Sequence, residues 1–149
     1  MTTEKSKSKL EMIVAKDLMS EDVISIRPDM LIGQVAHLML RHKVSGYPIV
    51  DELDKVVGII TLTDLFLVLD RTIYENGESA PQRILESKNR PCREIMSSNV
   101  ICISPNTSLQ EIINMVIKWK IHTFPVMENN KLVGIIGRHD VLNAAFSYA

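Results

Sequence analysis

Lys55-Val-Val-Gly-Ile-Ile-Thr-Leu-Thr-Asp64 returns near the end of the chain as Lys131-Leu-Val-Gly-Ile-Ile-Gly-Arg-His-Asp140. Each copy reads as a strand that runs into an acidic residue at the mouth of a helix. The near-continuous apolar run from Val56 to Ile60 implies a strand covered on both faces. Just upstream, Tyr47-Pro-Ile-Val50 is a strand with proline at its start, a position strands tolerate. The polar turn Asp51-Glu-Leu-Asp54 joins the two into a hairpin. Phe124-Pro-Val126, the turn Glu128-Asn-Asn130 and Leu132 to Ile136 form a second hairpin.

The repetition reaches further out. Met19-Ser-Glu-Asp-Val-Ile-Ser-Ile-Arg-Pro28 aligns with Met96-Ser-Ser-Asn-Val-Ile-Cys-Ile-Ser-Pro105, offset by 77 residues. The offset holds through Pro48 and Pro125 and becomes 76 at Lys55 and Lys131, so one residue is lost in the turn. Two copies of about sixty residues describe a duplicated domain and not a solenoid. Leu31 to Lys43 carries Leu31, Ile32, Val35, Leu38 and Met39 at helical spacing. The second copy repeats the stripe with Leu109, Ile112, Ile113, Val116 and Ile117. Thr107 or Ser108 can cap that helix, with Gln110 or Glu111 three residues on. Leu65 to about Tyr74, and Arg138 onward with Val141, Leu142, Ala145 and Phe146, read as closing helices.

With Val23-Ile-Ser-Ile26 as a first strand, each copy is β-α-β-β-α, an α+β fold with a right-handed crossover. The expected boundaries are a disordered tail over 1–12, a first domain over 13–75, a linker over 76–92 and a second domain over 93–149. A short helix is expected inside the linker at Gln82 to Glu86.

The 149 residues are 46% hydrophobic, enough for a core, and the net charge is −1 from 17 basic and 18 acidic side chains. That balance argues against nucleic acid and anionic membranes as partners. No run approaches the roughly 18 apolar residues of a membrane span. The basic N-terminus has no apolar stretch behind it, so it is not a secretory signal. Cys92 and Cys102 match no zinc spacing and are too few for a disulfide scaffold; free thiols suit the cytoplasm. His37 and His42 do not share a helical face, and there is no CxxC or HExxH, so no metal site is expected. Without a Gly-x-Ser-x-Gly elbow, a Walker loop or a Cys–His dyad, the chain is not expected to be an enzyme.

The residues resemble the cystathionine-β-synthase (CBS) domain, and the tandem resembles a CBS pair, or Bateman module. Three motifs carry the likeness in each copy: Asp22 to Pro28, echoed at Asn99 to Pro105; Tyr47-Pro48 and Phe124-Pro125; and Gly58 to Asp64, with Gly134 to Asp140. The resemblance covers residues 13 to 147. It implies two β-α-β-β-α units packed about a pseudo-two-fold, with clefts for AMP, ADP, ATP or S-adenosylmethionine. It also implies a homodimer formed through helices, and regulation in trans of a partner protein that the sequence does not name. No cofactor is required; the adenine nucleotide is the regulatory ligand. Carried over residue by residue, the ribose and phosphate contacts are Thr61, Thr63, Asp64, Gly137, Arg138, His139 and Asp140. The base pocket is Ile24, Ser25, Tyr47 and Pro48, with Ile101, Cys102, Phe124 and Pro125.

Each of these residues has a plainer role open to it. Thr61 and Asp64 also form a capping box. Tyr47 and Phe124 also suit core packing, and Trp119 suits the core or a dimer contact. Ionised aspartate is an acceptor-only group matched to a ribose diol, and a helix start suits phosphate. Arg138 matches phosphate oxygens through its fork. Gly137 departs from the hydroxyl found at Thr61, so the two sites differ. A constitutive dimerisation or scaffolding domain with empty or degenerate clefts is the alternative function.

Overall fold

The computed structural model describes residues 8–74 and 80–148. In chain order the elements are α1 (Lys9–Met12), α2 (Ala15–Leu18), α3 (Ile32–His42), β1 (Gly46–Val50), β2 (Val56–Thr61), α4 (Leu62–Tyr74), α5 (Ala80–Lys88), α6 (Leu109–Trp119), β3 (Thr123–Glu128), β4 (Lys131–Gly137) and α7 (Arg138–Tyr148). A 3-10 turn covers Cys92–Glu94. The contacts divide the chain into two compact units. One is Ile24–Val100; the other joins Met1–Val23 to Ile101–Ala149.

In the unit 24–100, β1 and β2 pair antiparallel, with Gly46 opposite Thr61 and Tyr47 opposite Ile60. Asp51 closes the turn: its Oδ1 accepts the N–H groups of Leu53 and Lys55, each at 2.9 Å. The helix α3 lays Ile32, Val35 and Met39 against Ile26, Tyr47, Ile49 and Ile60. It starts where the Leu31 N–H donates to Gln34 Oε1 at 3.0 Å, and it ends at Lys43 in the left-handed region, φ 53°.

The expected first strand shrinks to one residue in each copy. Ile26 bridges Ile49 in parallel, and Ile103 bridges Val126. The Ile26 N–H donates to Pro48 O and the Val50 N–H to Ile26 O. The next rung would need an N–H on Pro48, which proline lacks. Pro125 stops the second ladder in the same way, after the Ile103 N–H donates to its carbonyl at 3.0 Å.

The stretch expected as a linker packs on the first unit where it is described. Its helix is longer than Gln82 to Glu86: α5 packs on α3 and α4. It comes so close that a Cβ on Gly33 would stand 2.8 Å from the Lys88 Cβ. Cys92 is fully buried; its N–H donates to Met30 O at 2.7 Å and its thiol to Arg27 O at 3.3 Å. Residue 75, the end of the expected first domain, and residues 76–79 of the expected linker lie outside the described ones.

In the other unit β3 pairs with β4, Thr123 opposite Gly137. The turn residues Asn129 and Asn130 both have positive φ, 51° and 63°, the tight two-residue hairpin turn that asparagine tolerates. The one-residue difference between the copies falls at this turn. Ser108 caps α6 by accepting the Glu111 N–H at 3.1 Å. Thr107 instead closes the preceding turn, accepting the Ser104 N–H at 3.0 Å. The core gathers Ala15, Ile103, Leu109, Ile112, Phe124, Val126, Ile136, Val141 and Ala144.

The tail expected over 1–12 is not unstructured where it is described. Lys9–Met12 is helical and Leu10 packs on this core. The Ala15 N–H donates to Thr107 O, and the Leu109 N–H to Ile13 O, each at 2.8 Å. Residues 1–7 lie outside the described ones.

Two apolar stripes are narrower than the spacing implies. Ile117 is 73% exposed, and Leu142 and Phe146 are 53% and 84% exposed. At about 100° per residue, Ile117 lies a quarter turn from the Leu109–Ile112–Val116 line. Leu142 and Phe146 sit on the face beside Val141, and Ala144 takes the inward place. Trp119 is not core: it is half exposed, with Lys118 Nζ 5.6 Å from its ring centroid. Among the described residues no helix is long and apolar enough to cross a membrane.

Candidate functional site

Each hairpin's second strand passes into its helix without a loop, which puts Asp64 and Asp140 at the third helical position. Asp64 Oδ2 accepts the Thr61 N–H at 2.8 Å and the Thr61 hydroxyl at 3.1 Å. The Asp64 N–H reaches back to Thr61 Oγ1 at 3.4 Å. This is a capping box, closed on both sides. Among the described residues Asp140 Oδ2 accepts only the Gly137 N–H, at 2.8 Å, so this aspartate keeps a capping role even though the hydroxyl is gone. In both, Oδ2 is used and Oδ1 has no hydrogen bond among the described residues.

Around each helix start the chain brings three segments together. In the unit 24–100, Ile24 and Ser25 lead into the Ile26 bridge, beside the Gly46–Tyr47 end of β1, which in turn faces Thr61. Ile24 is 36% exposed and Ser25 is exposed. Because Pro48 cannot donate, the Ile24 carbonyl has no partner among the described residues. Ile101, half-buried, and Cys102, exposed, repeat this beside Phe124-Pro125, and for the same reason the Ile101 carbonyl has no partner among the described residues.

Tyr47 and Phe124 are buried in their hairpin cores, as are Pro48 and Pro125. The Tyr47 hydroxyl donates to Leu38 O at 3.0 Å, and burial raises its pKa. Their side chains are committed to packing. Thr63 is exposed on the first turn of α4. Arg138 and His139 are exposed at the start of α7, with no ion pair or hydrogen bond among the described residues.

A cavity of about 190 Å³ adjoins Asp64, lined by Leu67, Val68, Glu94, Ile95 and Met96. Motif reading gave no hint of Glu94, because it comes from the 3-10 turn beyond α5. Its Oε2 pairs with Arg90 Nε at 2.7 Å. The cavity lining thus holds two carboxylates, Asp64 and the Arg90-paired Glu94. A larger groove of about 590 Å³, between α3 and the end of α5, contains none of the motif residues. Among the described residues no three His, Cys, Asp or Glu side chains are grouped to hold a metal.

The CBS domain family model matches residues 15–71 and 92–147. The chain belongs to the CBS domain family. As a CBS pair it is similar to the CBS domain-containing protein YhcV of Bacillus subtilis, 28% identical over 126 residues, which are 85% of this chain and 81% of YhcV. It is also similar to the inosine-5'-monophosphate dehydrogenase of Methanocaldococcus jannaschii, 27% identical over 129 residues. Those are 86% of this CBS pair but 23% of the dehydrogenase, so the chain spans only a minor part of that enzyme's length. Among solved structures, the CBS domain pair of protein MJ0100, in complex with 5'-methylthioadenosine and S-adenosyl-L-methionine, superposes with a TM-score of 0.76 at 25% identity. The match covers 91% of this chain and 98% of that one.

Proposed function

We propose that this CBS pair binds an adenosine-containing ligand at each strand-to-helix junction and transmits its occupancy to a partner protein. The observation that carries the reading is a pair of acceptors at each junction that have no partner among the described residues. The outer carboxylate oxygen of Asp64 or Asp140 suits a ribose diol. The unpaired carbonyl of Ile24 or Ile101 suits the amino group of a purine. The MJ0100 complex, with two adenosine compounds, supports that ligand class; AMP, ADP, ATP and S-adenosylmethionine are its candidate members. Exposed Arg138 and His139 favour a phosphate at the second junction. Thr61, Thr63 and Asp64 give the first the fuller set of ribose contacts. Leu142 and Phe146, exposed on α7, are the proposed homodimer surface, and the cytoplasm the proposed location.

The test is a thermal-shift panel. A ligand present at a hundred times its dissociation constant adds about 2.7 kcal/mol to stability. S-adenosylmethionine or an adenine nucleotide should raise the midpoint of the wild-type chain, and Asp64→Ala combined with Asp140→Ala should abolish the shift. A shift that survives the double substitution would falsify the site.

A constitutive dimerisation domain with unused junctions is the second reading, favoured by Gly137 and by the exposed α7 face. It predicts a stable dimer whose midpoint no adenosine compound moves.

A further inference from the structure

Gly46 and Thr61 face each other across the first hairpin, and Thr123 and Gly137 across the second. The same ladder position therefore holds one glycine and one threonine in each unit, on opposite strands. Directly opposed residues of an antiparallel pair project to the same face. In the first unit the hydroxyl sits beside the helix, where Thr61 Oγ1 donates to Asp64 Oδ2 at 3.1 Å. In the second, that space is open: a Cβ on Gly137 would meet only Asp140 Oδ2, at 3.7 Å.

Across the ladder from this opening stands Thr123, 4% exposed. Its Oγ1 is buried and has no hydrogen-bond partner among the described residues. Buried hydroxyls are nearly always paired, so one left alone needs an explanation. Valine would fill the same volume in a strand with no polar atom to satisfy. The hydroxyl is thus a structural liability placed on the face that holds the Asp140 junction.

We infer that Thr123 is the second site's counterpart of Thr61, a ligand-binding hydroxyl moved to the opposite strand. A turn about χ1, which takes any of three staggered wells, carries Oγ1 from its unpaired position to a ribose or 5'-substituent oxygen held beside Asp140. The inference rests on the adenosine-binding reading above. It makes the second junction a complete site, where motif alignment sees a lost hydroxyl at Gly137. It also makes the two sites unequal: Thr61 is already bonded to Asp64 before any ligand arrives, and Thr123 is not.

The experiment is calorimetric titration of the Asp64→Ala chain, which leaves only the second site, with AMP and with S-adenosylmethionine. Thr123→Val should weaken binding about three- to ten-fold, the worth of one neutral hydrogen bond, while Thr123→Ser stays close to the parent. In the ligand-free protein Thr123→Val should raise the melting midpoint by about 1–4 °C, because the unpaired hydroxyl is gone. Equal affinity of Thr123→Val and parent overturns the inference and leaves the site standing. A lowered ligand-free midpoint overturns it too, since the hydroxyl would then have an internal partner. If the Asp64→Ala chain and the wild type bind neither probe, the adenosine reading falls and this role of Thr123 falls with it.

Discussion

Met96 Sδ occupies the space that a side chain on Gly58 would need: an added Cβ would lie 2.5 Å from it and 3.0 Å from the Ser97 carbonyl. Met19 does the same at Gly134, where a Cβ would fall 2.8 Å from its Cγ and 3.1 Å from its Cβ. Beside each methionine, a serine pairs with the same strand through two backbone hydrogen bonds: Ser97 with Ile59, at 2.8 and 2.9 Å, and Ser20 with Ile135, at 2.9 and 3.0 Å. The Met-Ser that opens each repeat in sequence thus edges the hairpin of the other. Overpacking at such a contact costs about 1–3 kcal/mol. Gly58→Ala and Gly134→Ala should each lower stability by that amount in urea melts. Adding Met96→Ala to Gly58→Ala should cost less than the two substitutions summed.

Ser108 and Thr107 separate two roles that their adjacency in sequence left open. Ser108→Ala removes the side-chain cap of α6 and should cost about 1 kcal/mol. Thr107→Ala opens an exposed turn and should cost less. Guanidinium melts of the two single variants, side by side, give the order; the reverse order would contradict the cap assignment.

The two aspartates should differ in what they give the ligand-free fold. Asp64→Ala deletes an acceptor serving a backbone N–H and a hydroxyl, Asp140→Ala an acceptor serving one N–H. Each loss is on the order of 1 kcal/mol, with Asp64→Ala the larger. A double-mutant cycle of Thr61→Val with Asp64→Ala should show a coupling energy.

Alkaline pH should weaken the fold. Burial raises the pKa of the Cys92 thiol above 9.0 and of the Tyr47 hydroxyl above 10.0. Both therefore hold their protons in the folded state after the unfolded chain has released them. Stability from these groups is complete below pH 9.0 and is lost as pH rises through the folded values. Denaturant midpoints measured from pH 8 to pH 11 should fall steadily above pH 9.0. Tyr47→Phe should flatten the part above pH 10.0. In thiol labelling, exposed Cys102 should react in the folded protein, slowed by the partial burial that raises its thiol pKa, and buried Cys92 only on unfolding.

The hairpins and main helices were legible in the chain because their signals are local. Proline at strand starts, the Asn129-Asn130 turn and the Ile32–Val35–Met39 stripe each act within a few residues. The inward faces of α6 and α7 were less so. Apolar residues on two faces of one helix, as with Val141 and Leu142, look alike until the packing partner is known. The first strands failed for a reason that is itself chemical: Pro48 and Pro125 end the ladder, but only the pairing of Ile26 with Ile49 reveals which ladder they end. At the candidate site Asp64 and Asp140 stood out by repetition. Glu94 and Thr123 did not, since one comes from a distant turn and the other shows its meaning only opposite Gly137.

The sequence by itself determined the duplication, the strand-to-helix junctions and the family, because repeated motifs and helical or strand periodicity are properties of neighbouring residues. The tertiary structure decided which hairpin each Met-Ser edge completes, that α5 and Cys92 are structural, and that the second hydroxyl lies across the ladder from its glycine. Those outcomes depend on register and close approach between residues tens of positions apart, set by cross-strand hydrogen bonds and by the space a glycine leaves open.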